Sequence, residues 1–188
     1  ISTLQAEIKK NPTDTNKRGF LVELLCFARE LDRADKQLDV ITSQEPEAAP
    51  NLALWRQLIR AEQARFDFYC DGRAPHLVGQ PNLVINNLLH ASIQIREDDI
   101  EGALQLIEHT DEVREPTPGK INGEPFDDIR DIDDLNSGIL EVMANNGQYY
   151  WVSFEQINTL EFHPPKRPIE LLWRKASIDV KDGPEGEV

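Results

Sequence analysis

One stretch, residues 138–154, constrains the fold more than any other. Two apolar runs, 139–144 and 149–154, flank Asn145-Asn146-Gly147. Asn-Gly supplies the positive φ angles that tight turns need, so the stretch is predicted as a β-hairpin. A two-residue Asn146-Gly147 turn would set Met143 opposite Tyr150 and Val142 opposite Trp151. Apolar bulk then falls on both faces, and such a strand pair has to be covered on both. Before residue 112 the hydrophobic periodicity is helical; beyond it, strands and turns dominate. The expected fold class is α+β, with tetratricopeptide-like helical repeats over 1–112. A small antiparallel β-barrel-like domain or bent sheet over 113–188 is expected to pack on the helices.

The helical part rests on apolar residues at i, i+3 and i+4. Helices are predicted over about 3–10, 14–30, 33–44, 52–70, 82–95 and 99–110. Ser2 with Gln5 resembles a capping box. Asp32, Asn51 and Asp98-Asp99 read as caps of later helices, Pro81 as a helix opener, and Gly72 as a left-handed C-terminal residue. Residues 73–80 read as a loop. Pro12 and Pro46 lie 34 residues apart, the length of a tetratricopeptide repeat. A repeat begun at Thr15 places Leu21 and Leu25 in the core of its first helix. Its second helix then contributes Ala34, Leu38 and Ile41, the small Ala34 allowing a close crossing. Arg18 and Val22 stand where the pattern has Trp and Gly. A second copy is degenerate and lacks its partner helix; in a third, Ala103 falls 69 residues after Ala34. Arrays of this kind offer a concave face to a peptide or helix. Trp55, Ile59, Phe66 and Tyr69 are the candidate partner-binding residues, although aromatics at helical spacing more often form core.

In the strand-rich part, Pro116-Thr117-Pro118-Gly119 marks the junction and Asn122-Gly123 a second turn. Residues 153–156 read as a bend, 157–162 and 173–180 as strands, and Asp182-Gly183 as a turn.

Charge narrows the partners. The 34 acidic residues outnumber the 20 basic ones, for a net charge of −14. Nucleic acid and anionic membrane surfaces are therefore disfavoured, and a basic protein surface or peptide is favoured. No apolar run is long enough for a membrane span, and no signal peptide is read at the start. Cys26 and Cys70 read as two buried thiols in a reducing compartment.

The sequence carries no recognised catalytic or metal-binding pattern. Asp127, Asp128, Asp131, Asp133 and Asp134 suggest a cation loop, but no Gly stands where a calcium loop turns sharply, so a solvated acidic loop is expected. His76, His90, His109 and His163 are scattered without zinc spacing, and His90 reads as a packed core residue. There is no nucleophile elbow, no phosphate loop and no Cys-x-x-Cys. No enzyme activity, cofactor or metal is expected.

Several motifs recur together in the C-terminal part: Gly123-x-Pro-Phe126, Asp131-x-Asp133, Gly138-x-Leu-Glu141, Gly147-x-Tyr-x-Trp-Val-x-Phe154, Pro164-Pro165 and Trp173. With Gly79-x-Pro81 in the helical part, the set resembles the ImpE/TagJ family, accessory proteins of the bacterial type VI secretion system. The resemblance implies a cytoplasmic, non-catalytic adaptor or scaffold. It implies binding to the small subunit of the contractile sheath and, through it, a link to the ClpV-type ATPase that disassembles contracted sheath. It supplies no catalytic residues. The chain departs from the family at Asp127-Asp128, where an aromatic is usual. Further departures are residues 135–139, where Arg-Leu-Gly-Pro often precedes Leu-Glu, and residues 167–170, where Asp-Leu-Arg-Asp is common. The alternative reading is a general protein- or peptide-binding adaptor outside secretion.

Overall fold

The computed structural model describes residues 1–188. Helices come first: α1 (Ser2–Lys10), α2 (Thr15–Phe27), α3 (Leu31–Gln44) and α4 (Ala49–Asp71). A two-residue strand β1 (His76–Leu77) precedes α5 (Leu83–Arg96) and α6 (Ile100–Val113). Strands β2 (Gly119–Ile121) and β3 (Glu124–Phe126) follow, then β4 (Ile139–Met143) and β5 (Tyr149–Ser153). The chain ends with β6 (Ile157–Phe162), β7 (Ala176–Val180) and β8 (Glu185–Glu187). The class is α+β. The strands form three separate small sheets, ordered β1-β5-β4, β2-β3 and β6-β7-β8. None closes on itself, which corrects the barrel expectation: strands of two to six residues are too short to wrap a barrel.

All six predicted helices are present, and the differences lie at their ends. Ser2 makes no capping bond, since α1 begins at Ser2 behind Ile1. Glu30, not Asp32, precedes α3, and Asn51 lies inside α4, which enters through a 3₁₀ turn at Pro46–Ala48. Asp99 does cap, accepting from the Gly102 amide at 3.0 Å, and the cap of α5 is Asn82, behind the predicted opener Pro81, accepting from the Ile85 amide at 2.8 Å. Gly72 ends α4 at φ +77°. The predicted 73–80 loop holds β1, which pairs parallel to β5 with His76 beside Tyr150 and Leu77 beside Trp151. Two residues carry no periodicity, so no pattern in the sequence marks them.

Contacts divide the chain into two compact units, neither of them one continuous stretch. One comprises residues 1–63, 143–148 and 162–176; the other comprises 64–142, 149–161 and 177–188. The change from helix to strand near residue 113 does not follow this division. In the first unit, Leu21, Val22, Leu25, Ala34, Leu38 and Ile41 are buried together with Ile59 and, from the 3₁₀ turn Pro168–Leu171, Ile169. Ala34 is fully buried, so its methyl side chain fits a tight α2–α3 contact. Arg18, which takes the Trp position of the repeat, is buried too and donates to Gln37 Oε1 and the Pro12 carbonyl at 2.6 and 2.8 Å.

In the second unit the strands β4 and β5 are covered on both faces. Ile139, Tyr149 and Trp151 pack with Phe68 of α4 and with Ile85 and Leu88 of α5. Val142 and Val152 pack on the other side with Ile178 and Val180 of β7. A third cluster joins α5 to α6 through Ala91, Ala103 and Ile107.

The hairpin itself corrects the expected register. The Gly147 amide donates to the Ala144 carbonyl at 3.0 Å, and the Ala144 amide to the Gln148 carbonyl at 2.9 Å. Of the loop residues only Gly147 has positive φ, +84°. The connection is therefore a three-residue loop, a type I turn with a glycine bulge. Ala144 pairs with Gln148, and the Phe154 amide donates to the Gly138 carbonyl at the far end. Both ends place Glu141, not Val142, opposite Trp151.

Candidate functional site

Alternation along β4 puts Glu141 on the apolar face, beside Tyr149 and Trp151. A carboxylate there needs partners, and α4 supplies them. Arg65 and Tyr69 are four residues apart and so share one helix face. Arg65 Nε and Nη2 donate to the two Glu141 oxygens at 2.8 and 3.1 Å. Tyr69 Oη donates to Glu141 Oε1 at 3.0 Å, Tyr149 Oη donates to the same oxygen, and Trp151 Nε1 donates to Tyr149 Oη at 2.6 Å. Phe68 meets the Trp151 ring edge-on at 4.9 Å. Burial, and the Glu141 carboxylate next, push Tyr69 up to about 12, and the same causes raise Tyr149 further. Both phenols stay protonated and donating at neutral pH. From the sequence Tyr69 is a partner-binding candidate and Glu141 only a member of a family motif; the signal for its role is an acid in the middle of an apolar strand.

The four candidate partner-binding residues lie in two settings. In the first unit, Ile59 is only 6% exposed and Trp55 packs half-buried against the same core. Arg167 lies over the Trp55 ring, 4.7 Å from its centroid, and donates to the buried Glu23. Trp173 Nε1 donates to Glu62 Oε2 at 3.2 Å. These contacts give the Trp173 motif and the departure at Arg167 a packing role. In the second unit, Phe66 is half-buried and Tyr69 belongs to the Glu141 network.

The acidic loop is a built turn. Asp128 accepts from both Arg114 terminal nitrogens and from the Thr117 amide, which hold its carboxyl well below the usual range. Arg130 bridges Asp111 and Asp134 at 2.6 and 2.7 Å. Asp131 and Asp133 accept from the Asp133 and Leu135 amides at 2.8 and 3.0 Å. Cations and backbone amides thus occupy these carboxylates, and Ile132 stands 97% exposed between them.

Two smaller readings need correction. Cys26 is buried, its thiol pushed up to about 12 by desolvation, but Cys70 is exposed near the end of α4. His90 is exposed, because the inward positions of α5 are Leu88 and Ser92, each about 200° around the helix from it.

One cavity of about 160 Å³ opens at the start of α5. Leu83, Val84 and Val113 form its apolar wall; Asn82, Arg114, Glu115, Thr117, Ser153 and Glu155 are its polar lining. Gly138 borders it, and a Cβ there would meet Val84 Cγ1 at 2.6 Å, so the family glycine serves close packing.

The comparisons with known proteins agree with the motifs. A model of the ImpE protein family matches residues 123–188. Over 183 residues, 97% of this chain, the sequence is 28% identical to the type VI secretion system accessory component TagJ of Pseudomonas aeruginosa. The chain spans 65% of that curated relative's length. The fold matches the crystal structure of protein VPA1032 from Vibrio parahaemolyticus with a TM-score of 0.92. That protein is 32% identical, and the match covers 99% of this chain and 70% of the other. The chain belongs to the ImpE/TagJ family. No helix is long and apolar enough to cross a membrane.

Proposed function

We propose that this chain is a non-catalytic accessory component of a bacterial type VI secretion system, acting in the cytoplasm as an adaptor. Its partner is the small subunit of the contractile sheath, through which it is linked to the ClpV-type disassembly ATPase. The observation that carries the reading is the 28% identity to TagJ sustained over 97% of the chain. The geometry is compatible: the acidic loop and the Glu141 carboxylate are engaged in structural bonds, and the tetratricopeptide-like helices of the N-terminal part suit docking of an amphipathic helix. An excess of 14 negative charges favours a partner segment rich in Lys or Arg. Of the sequence candidates, Trp55 and Phe66 retain exposed surface for direct contact, whereas Ile59 would act through packing.

The test is a pull-down with purified sheath subunits and the ATPase, followed by calorimetric titration of the small subunit's N-terminal helix. Saturable binding weakened by Trp55→Ala or Phe66→Ala is expected. Absence of binding to every sheath and ATPase component at high micromolar concentration would remove the reading.

A further inference from the structure

The cavity at the start of α5 has a lining that neither the hairpin nor the proposed adaptor role explains. Its volume of about 160 Å³ is well below the roughly 300–1,000 Å³ of pockets that hold a drug-sized ligand. It is the scale of a single side chain. One wall is apolar, and two of its members, Leu83 and Val113, are 57% and 39% exposed at the surface. Two acidic residues, Glu115 and Glu155, also line the cavity, and neither is in an ion pair with Arg114, which pairs with Asp128. Asn82 Nδ2 donates to Glu155 Oε1 at 2.7 Å and orients that carboxylate. Ser153, 3% exposed, brings a hydroxyl to the lining. The one cation in the lining, Arg114, spends both terminal nitrogens on Asp128.

An apolar wall together with carboxylates that Arg114 leaves unpaired suits a long cationic side chain, whose methylene stem buries while its head stays polar. An anion would meet Glu115 and Glu155 together. The N-terminus of α5 offers it only about half a positive charge. Outside the lining, Lys181 donates to the Glu155 backbone carbonyl at 2.6 Å, so the main chain that carries this carboxylate is itself held.

We propose that this cavity receives one lysine or arginine side chain of a protein partner. The stem lies against Leu83, Val84 and Val113 and the charged head at Glu155 and Glu115. The proposal holds whichever protein presents the side chain, so it stands or falls separately from the sheath reading.

N-acetyl-lysine methylamide is the probe, titrated into the full chain while backbone amide resonances are followed by NMR. Saturable shifts at Asn82, Thr117, Gly138 and Ser153 are expected at about millimolar concentration, the strength of one side chain. Glu155→Gln keeps the oxygen that accepts from Asn82 and should weaken the probe about two- to five-fold, as for a partly exposed ion pair. N-acetyl-norleucine methylamide, with the same stem and no charge, should bind more weakly than the lysine probe. Equal binding of the norleucine probe, the same shifts with acetate, or no saturation at these residues overturns the proposal. So does an unchanged affinity in both Glu155→Gln and Glu115→Gln, with thermal midpoints confirming that the variants are folded.

Discussion

The β2–β3 and β4–β5 hairpins both turn on Asn-Gly, and they turn differently. In β2–β3 both Asn122 and Gly123 have positive φ, +53° and +90°, the two-residue type I′ loop that the dipeptide favours. In β4–β5 the loop takes three residues and only the glycine is left-handed. The difference follows burial. No residue of β2 or β3 is buried, so local turn chemistry decides their register. The strands β4 and β5 are covered on both faces, by two different cores. The register predicted from a two-residue loop would shift one strand by one position. It would bring Val142 opposite Trp151 and strip Glu141 of its place beside Tyr149. Where a strand pair is peripheral the turn governs the pairing; where it is central the packed faces choose among the turns its residues permit.

Substitutions can break this contrast. Trp151→Ala, at a fully buried side chain, should cost about 3–5 kcal/mol, read from a denaturant midpoint. A nearly unchanged midpoint would show that the central hairpin is not held by its faces. Next, Glu141→Ala leaves Arg65 and two phenols without their acceptor, for about 2–3 kcal/mol. Glu141→Asp should recover only part of that, because its shorter side chain cannot reach both Arg65 and the phenols.

The two turn glycines compare the loops directly. Gly123→Ala and Gly147→Ala both incur the left-handed cost, about 1–2 kcal/mol. A Cβ at Gly123 meets nothing within 4 Å, whereas one at Gly147 meets Gln57 Oε1 at 2.4 Å. Gly147→Ala should therefore be slightly the worse, by the small cost of swinging the flexible Gln57 end aside, and adding Gln57→Ala should bring the two into line in thermal melts. Smallest of all, Ile121→Ser on the peripheral hairpin should stay within about 0.5 kcal/mol, since the side chain is 59% exposed. A larger loss would mean that β2 is covered by something in solution.

Much of this architecture was legible where the signal is local. Gly72 and Asp99 act at the helix ends that their chemistry implies, and Leu21, Leu25, Ala34, Leu38 and Ile41 are buried where helical spacing puts them, although α2 also buries Arg18, Val22, Glu23 and Cys26. What stayed hidden depends on distant partners. Glu141 gains its meaning from Arg65 and Tyr69, 76 and 72 residues away. Arg167 gains its meaning from Glu23, 144 residues away. The strand β1 exists because β5 passes beside it. The cavity draws its lining from four separate stretches of chain, around residues 82, 114, 138 and 154, and no window of sequence contains it. Of the candidate partner-binding residues, Ile59 and Tyr69 read as groove because helical periodicity alone does not separate a core stripe from a docking stripe.

The interleaving of the two compact units bears on how the chain is made. The first unit holds residues 1–63 but is completed only by residues 162–176. Until those emerge from the ribosome, its core lacks Ile169 and Trp173, and Glu23 lacks Arg167. Synthesis adds about 5–20 residues per second, so the 113 residues between positions 63 and 176 take roughly 6–23 s. For that interval the nascent helices carry an open apolar face and an unmatched carboxylate. A message truncated within it would yield a product whose first unit cannot close.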